Sequence, residues 1–371
     1  MQRRTLGRTG LEVSILGLGG FHLLEISTAD AHAILHRYLD AGGNYVETAP
    51  EYGAGESERK IGPVMAGRRG ECVLATKCHA RDRVAASRLI DQSLTHLHTD
   101  YVDVLFMHHV QTVDELDRIL AKDGALRAAQ AARKAGKARF LGISNHGSPE
   151  VLLEALKRYP FDVIMTGTNY YDRFNFPLIE KELLPLAQKE NTGVVGMKAV
   201  ADGFLWRSAE QAFRYAWTLP IHVMAAGFNT LEMLEQDLDL AEAYEPMTVE
   251  EQERWFFEAP ELGNYVCRLC DKCLPCPESV NIPRIFELEG WYDRQMWDGV
   301  VRDPADYALR ERLRFWFQNE DRARAAYGAL PVKADACTDC GECEPRCPYH
   351  LSIVDKLTHS HYKLTDGEIL Y

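Results

Sequence analysis

The feature that most constrains the fold is a regular alternation of short apolar segments with helical ones. Eight short segments are rich in aliphatic and β-branched residues, as strands buried on both faces of a parallel sheet are. They lie at about 14–18, 44–48, 71–77, 102–107, 139–143, 162–166, 193–197 and 221–225. A segment with helical signals follows each of them, at 30–41, 56–65, 83–98, within 113–136, and at 148–158, 177–190, 208–218 and 230–243. Eight such strand–helix units predict an α/β fold closed into a (β/α)8 TIM barrel.

An open, doubly wound sheet is the alternative to the barrel. It is less favoured because the first strand–helix turn lacks the G-x-G-x-x-G spacing of dinucleotide-binding folds, having only Gly17, Gly19 and Gly20 around Leu18. Upstream, two short runs around residues 7–10 favour a β-hairpin.

The barrel is predicted to end near Pro246. Thr248 and Glu251 have capping-box spacing and predict one further helix. We therefore expect three parts: a barrel over residues 1–246, a connecting helix over 247–262, and a small, mostly helical domain over 263–371.

The overall charge argues against a role in nucleic-acid binding. The chain has 371 residues and a formal net charge of −13, whereas binding a polyanion requires a basic face. No apolar run approaches the length of a membrane helix, and no apolar stretch follows the basic start. These observations predict a cytoplasmic protein that binds no membrane.

Eight of the ten cysteines form two closely spaced clusters, each followed by a proline. The first cluster consists of Cys267, Cys270, Cys273 and Cys276. The second consists of Cys337, Cys340, Cys343 and Cys347, with the C-x2-C-x2-C-x3-C-P spacing of bacterial ferredoxins. Zinc is the weaker alternative, because zinc sites usually pair two C-x2-C units.

Two such runs predict two [4Fe–4S] clusters, in which the fourth cysteine of each run binds the cluster of the other run. One cluster is then expected on Cys267, Cys270, Cys273 and Cys347. The other is expected on Cys337, Cys340, Cys343 and Cys276.

Four polar residues fall at or just beyond the carboxyl ends of successive predicted strands. Glu47 and Tyr52 follow the second strand, Lys77 ends the third and His108 follows the fourth. Functional residues of such barrels lie at these ends. A tyrosine supported by a lysine, a histidine and a carboxylate favours proton transfer to or from a substrate oxygen.

At this point the chain resembles the aldo-keto reductase family. The matching stretches are TLGRTGLEVSILGLGG, NYVETAPEYGAGESERKIG, LATK, YVDVLFMH, GISN and GFNTLEMLEQDL, in the family's order. The resemblance implies NAD(P)H-dependent reduction of an aldehyde or ketone, or the reverse oxidation. It makes Tyr52 the catalytic proton donor, Lys77 its supporting cation and His108 the residue that orients the carbonyl. Glu47 stands where the family usually has aspartate.

The resemblance also implies cofactor contacts. Ser144 and Asn145 match the pair that grips the nicotinamide carboxamide, and Asn169 lies in a stretch that contributes there. Met197 replaces the aromatic residue that often stacks on the nicotinamide. After the eighth strand, Gly227, Asn229 and Asp237 lie where the family binds the adenosine end.

The type of nicotinamide cofactor follows from charge. No lysine or arginine occurs from Tyr215 through Glu253, whereas NADPH requires a cation near its 2′-phosphate. NADH is therefore favoured slightly over NADPH.

The cysteine-rich tail resembles the ferredoxin-like extension of a subgroup of aldo-keto reductases. Three functions stay open. The first is a carbonyl reductase or alcohol dehydrogenase with structural clusters. The second is an electron-transfer enzyme with a ferredoxin or flavoprotein partner. The third is a non-catalytic, redox-sensing barrel that binds a partner.

Overall fold

A computed structural model describes residues 1–295 and 320–365, and it contains the predicted barrel. Strands β3 to β10 form a closed parallel barrel in the order β10-β3-β4-β5-β6-β7-β8-β9. Their bounds are Leu16–Gly19, Tyr45–Glu47, Val73–Cys78, Val102–Met107, Ala138–Ser144, Val163–Gly167, Gly193–Met197 and Val223–Gly227. Every residue of six of these strands is buried, which explains why they read as continuous apolar runs rather than alternating ones.

The helices around the barrel are α1 to α9. Their bounds are Thr28–Asp40, Glu56–Arg68, Arg83–His96, Val113–Leu120, Ala125–Lys134, Pro149–Arg158, Leu184–Lys189, Ala209–Thr218 and Leu231–Glu242. Side-chain oxygens of Ser27, Asp82, Thr112 and Thr230 cap the amino ends of four of them.

The predicted long helix within 113–136 is two helices, α4 and α5, so that expectation was wrong. The chain turns at Gly124, whose missing side chain is required there. A Cβ at Gly124 would lie 2.3 Å from the carbonyl oxygens of both Arg118 and Ile119. The predicted helix over 177–190 begins with one wider, π-type turn at Ile179–Leu183 before α7.

An antiparallel hairpin covers the amino-terminal end of the barrel, as predicted. It consists of β1 (Arg3–Thr5) and β2 (Glu12–Ser14). Leu6 and Val13 of this hairpin join the side chains of the barrel interior in one buried core. The hairpin therefore closes one end and leaves the carboxyl end of the strands for a site.

By internal contacts the chain divides into two compact units. The first unit contains residues 1–168, 180–199 and 209–246. The second contains residues 169–179, 200–208 and the described residues from 247 onward. The structure thus groups two barrel loops with the C-terminal residues.

The second unit contains α10 (Val249–Glu258), α11 (Ile282–Asp293), α12 (Glu320–Gly328) and α13 (Ile353–Thr365). The capping box at Thr248 and Glu251 is present at the start of α10, as predicted. Part of the mostly helical domain expected over 263–371 lies outside the described residues. No helix among the described residues has the length and apolarity to cross a bilayer.

Candidate active site

Four predicted residues meet at the carboxyl ends of β4, β5 and β6. The Lys77 ammonium donates to the Tyr52 hydroxyl at 2.9 Å, donates to the Thr48 carbonyl at 3.1 Å, and contacts the Glu47 carboxylate. The rings of Tyr52 and His108 meet edge to face, with centroids 5.8 Å apart. All four side chains are buried, with Tyr52 the most exposed at 8%. The structure therefore brings together the four side chains that the sequence predicts at one site.

Burial and charge set the protonation of this group. Burial raises the pKa of Tyr52 to about 12, and the nearby Glu47 carboxylate adds to this, although Lys77 opposes it. Burial disfavours the charge of Lys77, but its contacts with Glu47 and Tyr52 outweigh that effect and raise the pKa of Lys77. Burial also raises the pKa of Glu47, against the attraction of Lys77. At neutral pH the tyrosine is thus a protonated phenol next to a cation.

His108 has a carboxylate partner that the sequence did not predict. Its Nδ1 lies 3.1 Å from Oε2 of Glu51, the residue before Tyr52. Burial lowers the pKa of His108 to about 3, although the contact with Glu51 acts in the opposite direction. The same contact lowers the pKa of Glu51 to about 2. The available signal in the sequence was an acidic residue directly before Tyr52, in the loop after a strand.

The end of β7 and the loop after it bring Ser144 and Asn145 to this end of the barrel. The Ser144 hydroxyl accepts from the His109 amide at 3.0 Å. The Asn145 side-chain nitrogen donates to the Val110 carbonyl at 2.6 Å and to Gln111 Oε1 at 2.8 Å. Its oxygen accepts from two backbone amides of its own loop. Asn145 is fully buried, and the hydrogen bonds of its side-chain amide hold the loop in place.

Two histidines near this loop were missed as members of the site. His109 and His146 pack edge to face, with ring centroids 4.8 Å apart. Burial lowers the pKa of His146 well below its usual value, and Lys198, His109, His108 and Lys77 act in the same direction. The imidazole of His146 is therefore neutral at neutral pH. The sequence signal was His146 directly after the Ser-Asn pair.

The remaining predicted cofactor residues lie at strand ends or beyond them. Met197 and Gly227 are the last residues of β9 and β10. Asn229 follows in a loop and donates to Glu25 at 2.9 Å. Asp237 lies in α9, where burial raises its pKa to about 7. Asn169 belongs to the second unit, where its amide donates to Asp172 at 2.8 Å.

An arginine reaches the α9 region from elsewhere in the sequence. The guanidinium of Arg37 in α1 makes a bidentate ion pair with the carboxylate of Glu235 in α9, at 2.6 and 2.7 Å. Because the guanidinium of Arg37 already pairs with a carboxylate, it does not favour binding of the 2′-phosphate of NADPH.

The cysteines of the second unit line two small cavities. Cys267, Cys270, Cys273 and Cys347 line one. Cys276, Cys337, Cys340 and Cys343 line the other. These are the two sets that the spacing predicts. Within residues 1–295 and 320–365, no three His, Cys, Asp or Glu side chains are positioned to hold one metal ion.

Comparison with known proteins relates the barrel to one family. The model of the Aldo/keto reductase family matches residues 15–247. The L-galactose dehydrogenase of Arabidopsis thaliana is 32% identical in an alignment of 224 residues that covers 55% of this chain and 67% of that protein. The pyridoxal 4-dehydrogenase of Microbacterium luteolum is 28% identical in an alignment of 264 residues that covers 58% of this chain and 76% of that protein.

A solved structure agrees with these matches. The holo form of an aldo-keto reductase from Bacillus halodurans superposes with a TM-score of 0.60 at 27% identity. It covers 68% of this chain and 94% of its own. The family match ends at residue 247, before both cysteine clusters.

Proposed function

The chain belongs to the aldo/keto reductase family of oxidoreductases, and from that premise we propose that it interconverts a small carbonyl compound and its alcohol with NAD(P). The observation that carries the proposal is the buried contact of 2.9 Å between the Lys77 ammonium and the Tyr52 hydroxyl. A phenol next to a buried cation is the group that such a reaction needs at the substrate oxygen.

Each member of the site has a part in this reaction. The bound nicotinamide supplies or accepts the hydride. In carbonyl reduction Tyr52 gives its proton to the substrate oxygen, and Lys77 lowers the cost of the phenolate that remains. Glu47 holds Lys77 in place, and His108 hydrogen-bonds the same substrate oxygen.

The cofactor is proposed to lie over the carboxyl ends of the strands. Ser144, Asn145 and Met197 would shape the nicotinamide site. Asn145 would do so by fixing the loop, because its hydrogen bonds are made within the protein. Gly227, Asn229 and Asp237 would serve the adenosine end. NADH stays slightly preferred to NADPH, since the arginine that reaches this helix is paired with Glu235.

The test is turnover of a panel of sugars and aromatic aldehydes, chosen because relatives act on galactose and pyridoxal, together with the corresponding alcohols. We expect Tyr52→Phe to lower kcat/KM about 100-fold or more. Tyr101→Phe is the matched control, because Tyr101 lies outside the site and packs on Arg69. Wild-type turnover that survives in Tyr52→Phe would contradict the proposal. Turnover that depends on Tyr52 would exclude the non-catalytic, redox-sensing alternative.

We further propose that residues 263–371 form a ferredoxin-like domain with two [4Fe–4S] clusters. The supporting observation is the grouping of the eight cysteines into two sets of four. A single zinc ion needs its ligands around one point, and the described residues offer no such group. In a four-iron cluster each thiolate binds a different iron, so the sulfurs need not converge on one point.

Iron and sulfide content test the clusters directly. Protein purified without oxygen should contain about eight irons per chain and absorb broadly near 400 nm. Cys270→Ser should lower the iron content, whereas Cys72→Ser should not, because Cys72 is buried in the barrel unit. Stoichiometric zinc without sulfide would contradict the assignment.

Electron transfer is the second candidate function. The side chain of Ile282 lines both cysteine cavities, and this favours exchange of electrons between two neighbouring clusters. A ferredoxin or flavoprotein would then be the partner. If NADH bleaches the absorption and a reduced-cluster EPR signal appears, this candidate leads. If NADH has no effect, structural clusters are the working interpretation.

A further inference from the structure

Arg81 joins the carboxyl ends of β5 and β6 through backbone carbonyls. One terminal nitrogen of its guanidinium donates to the carbonyls of His79 at 3.1 Å and His108 at 3.0 Å. The other donates to the His109 carbonyl at 2.9 Å and to the Glu115 carboxylate at 3.0 Å. The remaining N–H, on Nε, also donates to Glu115, at 3.3 Å. All five N–H donors of the guanidinium therefore have partners, and the side chain is only 11% exposed.

Glu115 of α4 bonds the other end of the loop that follows β6. Its second carboxylate oxygen accepts from the Gln111 amide at 2.7 Å. His109, between the two bonded ends, has a positive φ of 52°. This left-handed conformation costs energy in a residue with a side chain and persists only where the surroundings enforce it. The pair of Arg81 and Glu115 supplies bonds on both sides of His109 that enforce it.

The loop held in this way contacts two parts of the candidate site. Its first residue, His108, packs its ring edge to face against Tyr52. At its other end, the Val110 carbonyl and the side-chain oxygen of Gln111 both accept from the side-chain amide of Asn145. Asn145 in turn accepts from two amides of the loop after β7. A displaced loop would therefore shift the imidazole beside Tyr52 together with the loop proposed to shape the nicotinamide site.

We propose that Arg81, together with Glu115, is a positioning residue that holds the loop 108–111 and thereby places His108 and the nicotinamide site relative to each other. Both residues act through the loop, not on the reacting atoms. This inference rests on the proposed function and adds two residues to it. A lysine in place of Arg81 would keep the charge, but its three donors lie on one nitrogen and could not bond all of these acceptors.

Arg69 offers a matched control at the opposite ends of the same two strands. Its guanidinium donates to the carbonyls of Cys72 at 2.9 Å and Tyr101 at 3.2 Å, directly before β5 and β6, and it pairs with Asp103 at 2.7 Å. Its side chain is 14% exposed, similar to that of Arg81. The two arginines make bonds of the same kind at different ends of the barrel. A purely structural role therefore predicts equal effects of Arg81→Met and Arg69→Met.

The first measurement is amide exchange in the full chain without cofactor, followed by mass spectrometry. We expect Arg81→Met to speed exchange about tenfold or more in residues 108–112 and 145–148, and Arg69→Met to leave both segments unchanged. Glu115→Gln should act in the same direction as Arg81→Met. Arg81→Lys keeps the charge and serves the same test if Arg81→Met does not fold. Unchanged exchange in the Arg81 variants, or an equal increase in Arg69→Met, would overturn the inference.

The second measurement is kcat and the KM for the nicotinamide cofactor, with any substrate that the wild type turns over. We expect Arg81→Met to lower kcat/KM about tenfold or more relative to Arg69→Met, because a small misplacement of a reacting group is costly. Melting temperatures of the two variants report any difference in stability. Equal kcat/KM values in the two variants would overturn the inference. Absence of Tyr52-dependent turnover in the wild type would instead contradict the proposed function, and the exchange comparison would still decide whether Arg81 holds the loop.

Discussion

At the scale of single residues, the buried pair of Lys77 and Glu47 lies beside Tyr52. Glu47 ends β4, Lys77 lies in β5, and the two side chains are 4% and 2% exposed. The sequence predicted this pair with a glutamate in place of the family's aspartate. In the structure the longer side chain makes direct contact with the ammonium, so the extra methylene is part of the native geometry.

Shortening that carboxylate tests its role. Glu47→Asp withdraws the carboxylate by about 1.5 Å, which lengthens the contact with Lys77 and leaves a buried cation poorly paired. We expect kcat to fall several-fold and the melting temperature to drop. Glu12→Asp, at an exposed position of β2, should change neither. A rise in kcat would show that the glutamate serves another purpose.

The buried neutral histidines make stability depend on pH. The pKa of His108 falls from 6.5 to about 3 on folding, and that of His146 falls too. Between these values the two histidines bind more protons in the unfolded chain than in the native one, so their contribution to stability declines as pH falls from 6.5, whereas the raised pKa of Asp237 contributes in the opposite direction. The limit is about 1.4 kcal/mol per pH unit for each histidine.

Melting temperatures between pH 6.5 and about 5.5 measure this effect, above the pH range in which the lowered pKa of Glu51 contributes. We expect the melting temperature to fall less steeply with falling pH in His146→Gln than in the wild type. In His98→Gln, at an exposed position, the slope should be unchanged. Equal slopes in all three proteins would contradict the prediction.

At the scale of elements, α11 packs closely against the segment 169–179 within the second unit. A Cβ at Gly290 would lie 2.4 Å from Oδ1 of Asn175. Asn175 is fully buried and accepts from Gln295 at 3.0 Å. The helix and the segment therefore meet at a position that only glycine fits.

Two glycine variants measure this packing. Gly290→Ala should destabilise the second unit by about 1–3 kcal/mol through overpacking. Gly328→Ala is the matched control, because a Cβ there meets no atom within 4 Å. Urea unfolding followed by tryptophan fluorescence reports the difference. Equal midpoints for the two variants would show that Asn175 can move aside at no cost.

The sequence was informative about elements and less so about their ends. Buried strands such as Val102–Met107 and Gly193–Met197 were predicted with their bounds, because parallel strands are continuous apolar runs. The break at Gly124 was missed, because it depends on backbone contacts with α4 that no local periodicity contains.

Among the residues of the candidate site, too, some were predicted from the sequence and others were not. Tyr52, Lys77 and His108 were predicted because strand ends converge in a barrel. The contact of Glu51 with His108 and the internal hydrogen bonds of the Asn145 amide were not predicted. Both depend on which side chains meet across the loops.

At the scale of the whole molecule, the second unit draws on both barrel loops and the C-terminal residues. Arg294, 2% exposed, meets Asp172 at 2.8 Å and Asp202 at 3.0 Å. A chain ending after Pro246 would leave the buried Asp172 without its cation, which costs about 3–5 kcal/mol for such pairs. The predicted domain boundary at residue 246 follows the sequence pattern. The contacts within the structure instead group residues 169–179 and 200–208 with the C-terminal residues.

The prediction at the scale of the whole chain concerns the effect of removing iron on backbone order. The described residues between α10 and α11, which include the first four cysteines, contain no helix or strand. Those between α12 and α13 contain only a short turn at Ala334–Ala336. Backbone of this kind gains its order from a bound group when the ligands are thiolates.

Anaerobic removal of the iron should therefore speed amide exchange at least tenfold in residues 263–281 and 334–352, measured by mass spectrometry. The barrel strands serve as the internal control, because their order comes from a buried core without thiolate ligands. Unchanged exchange in both cysteine segments would contradict a cluster-dependent fold. Faster exchange throughout the barrel as well would mean that the two units unfold as one, and the clusters would then support the catalytic site through stability alone.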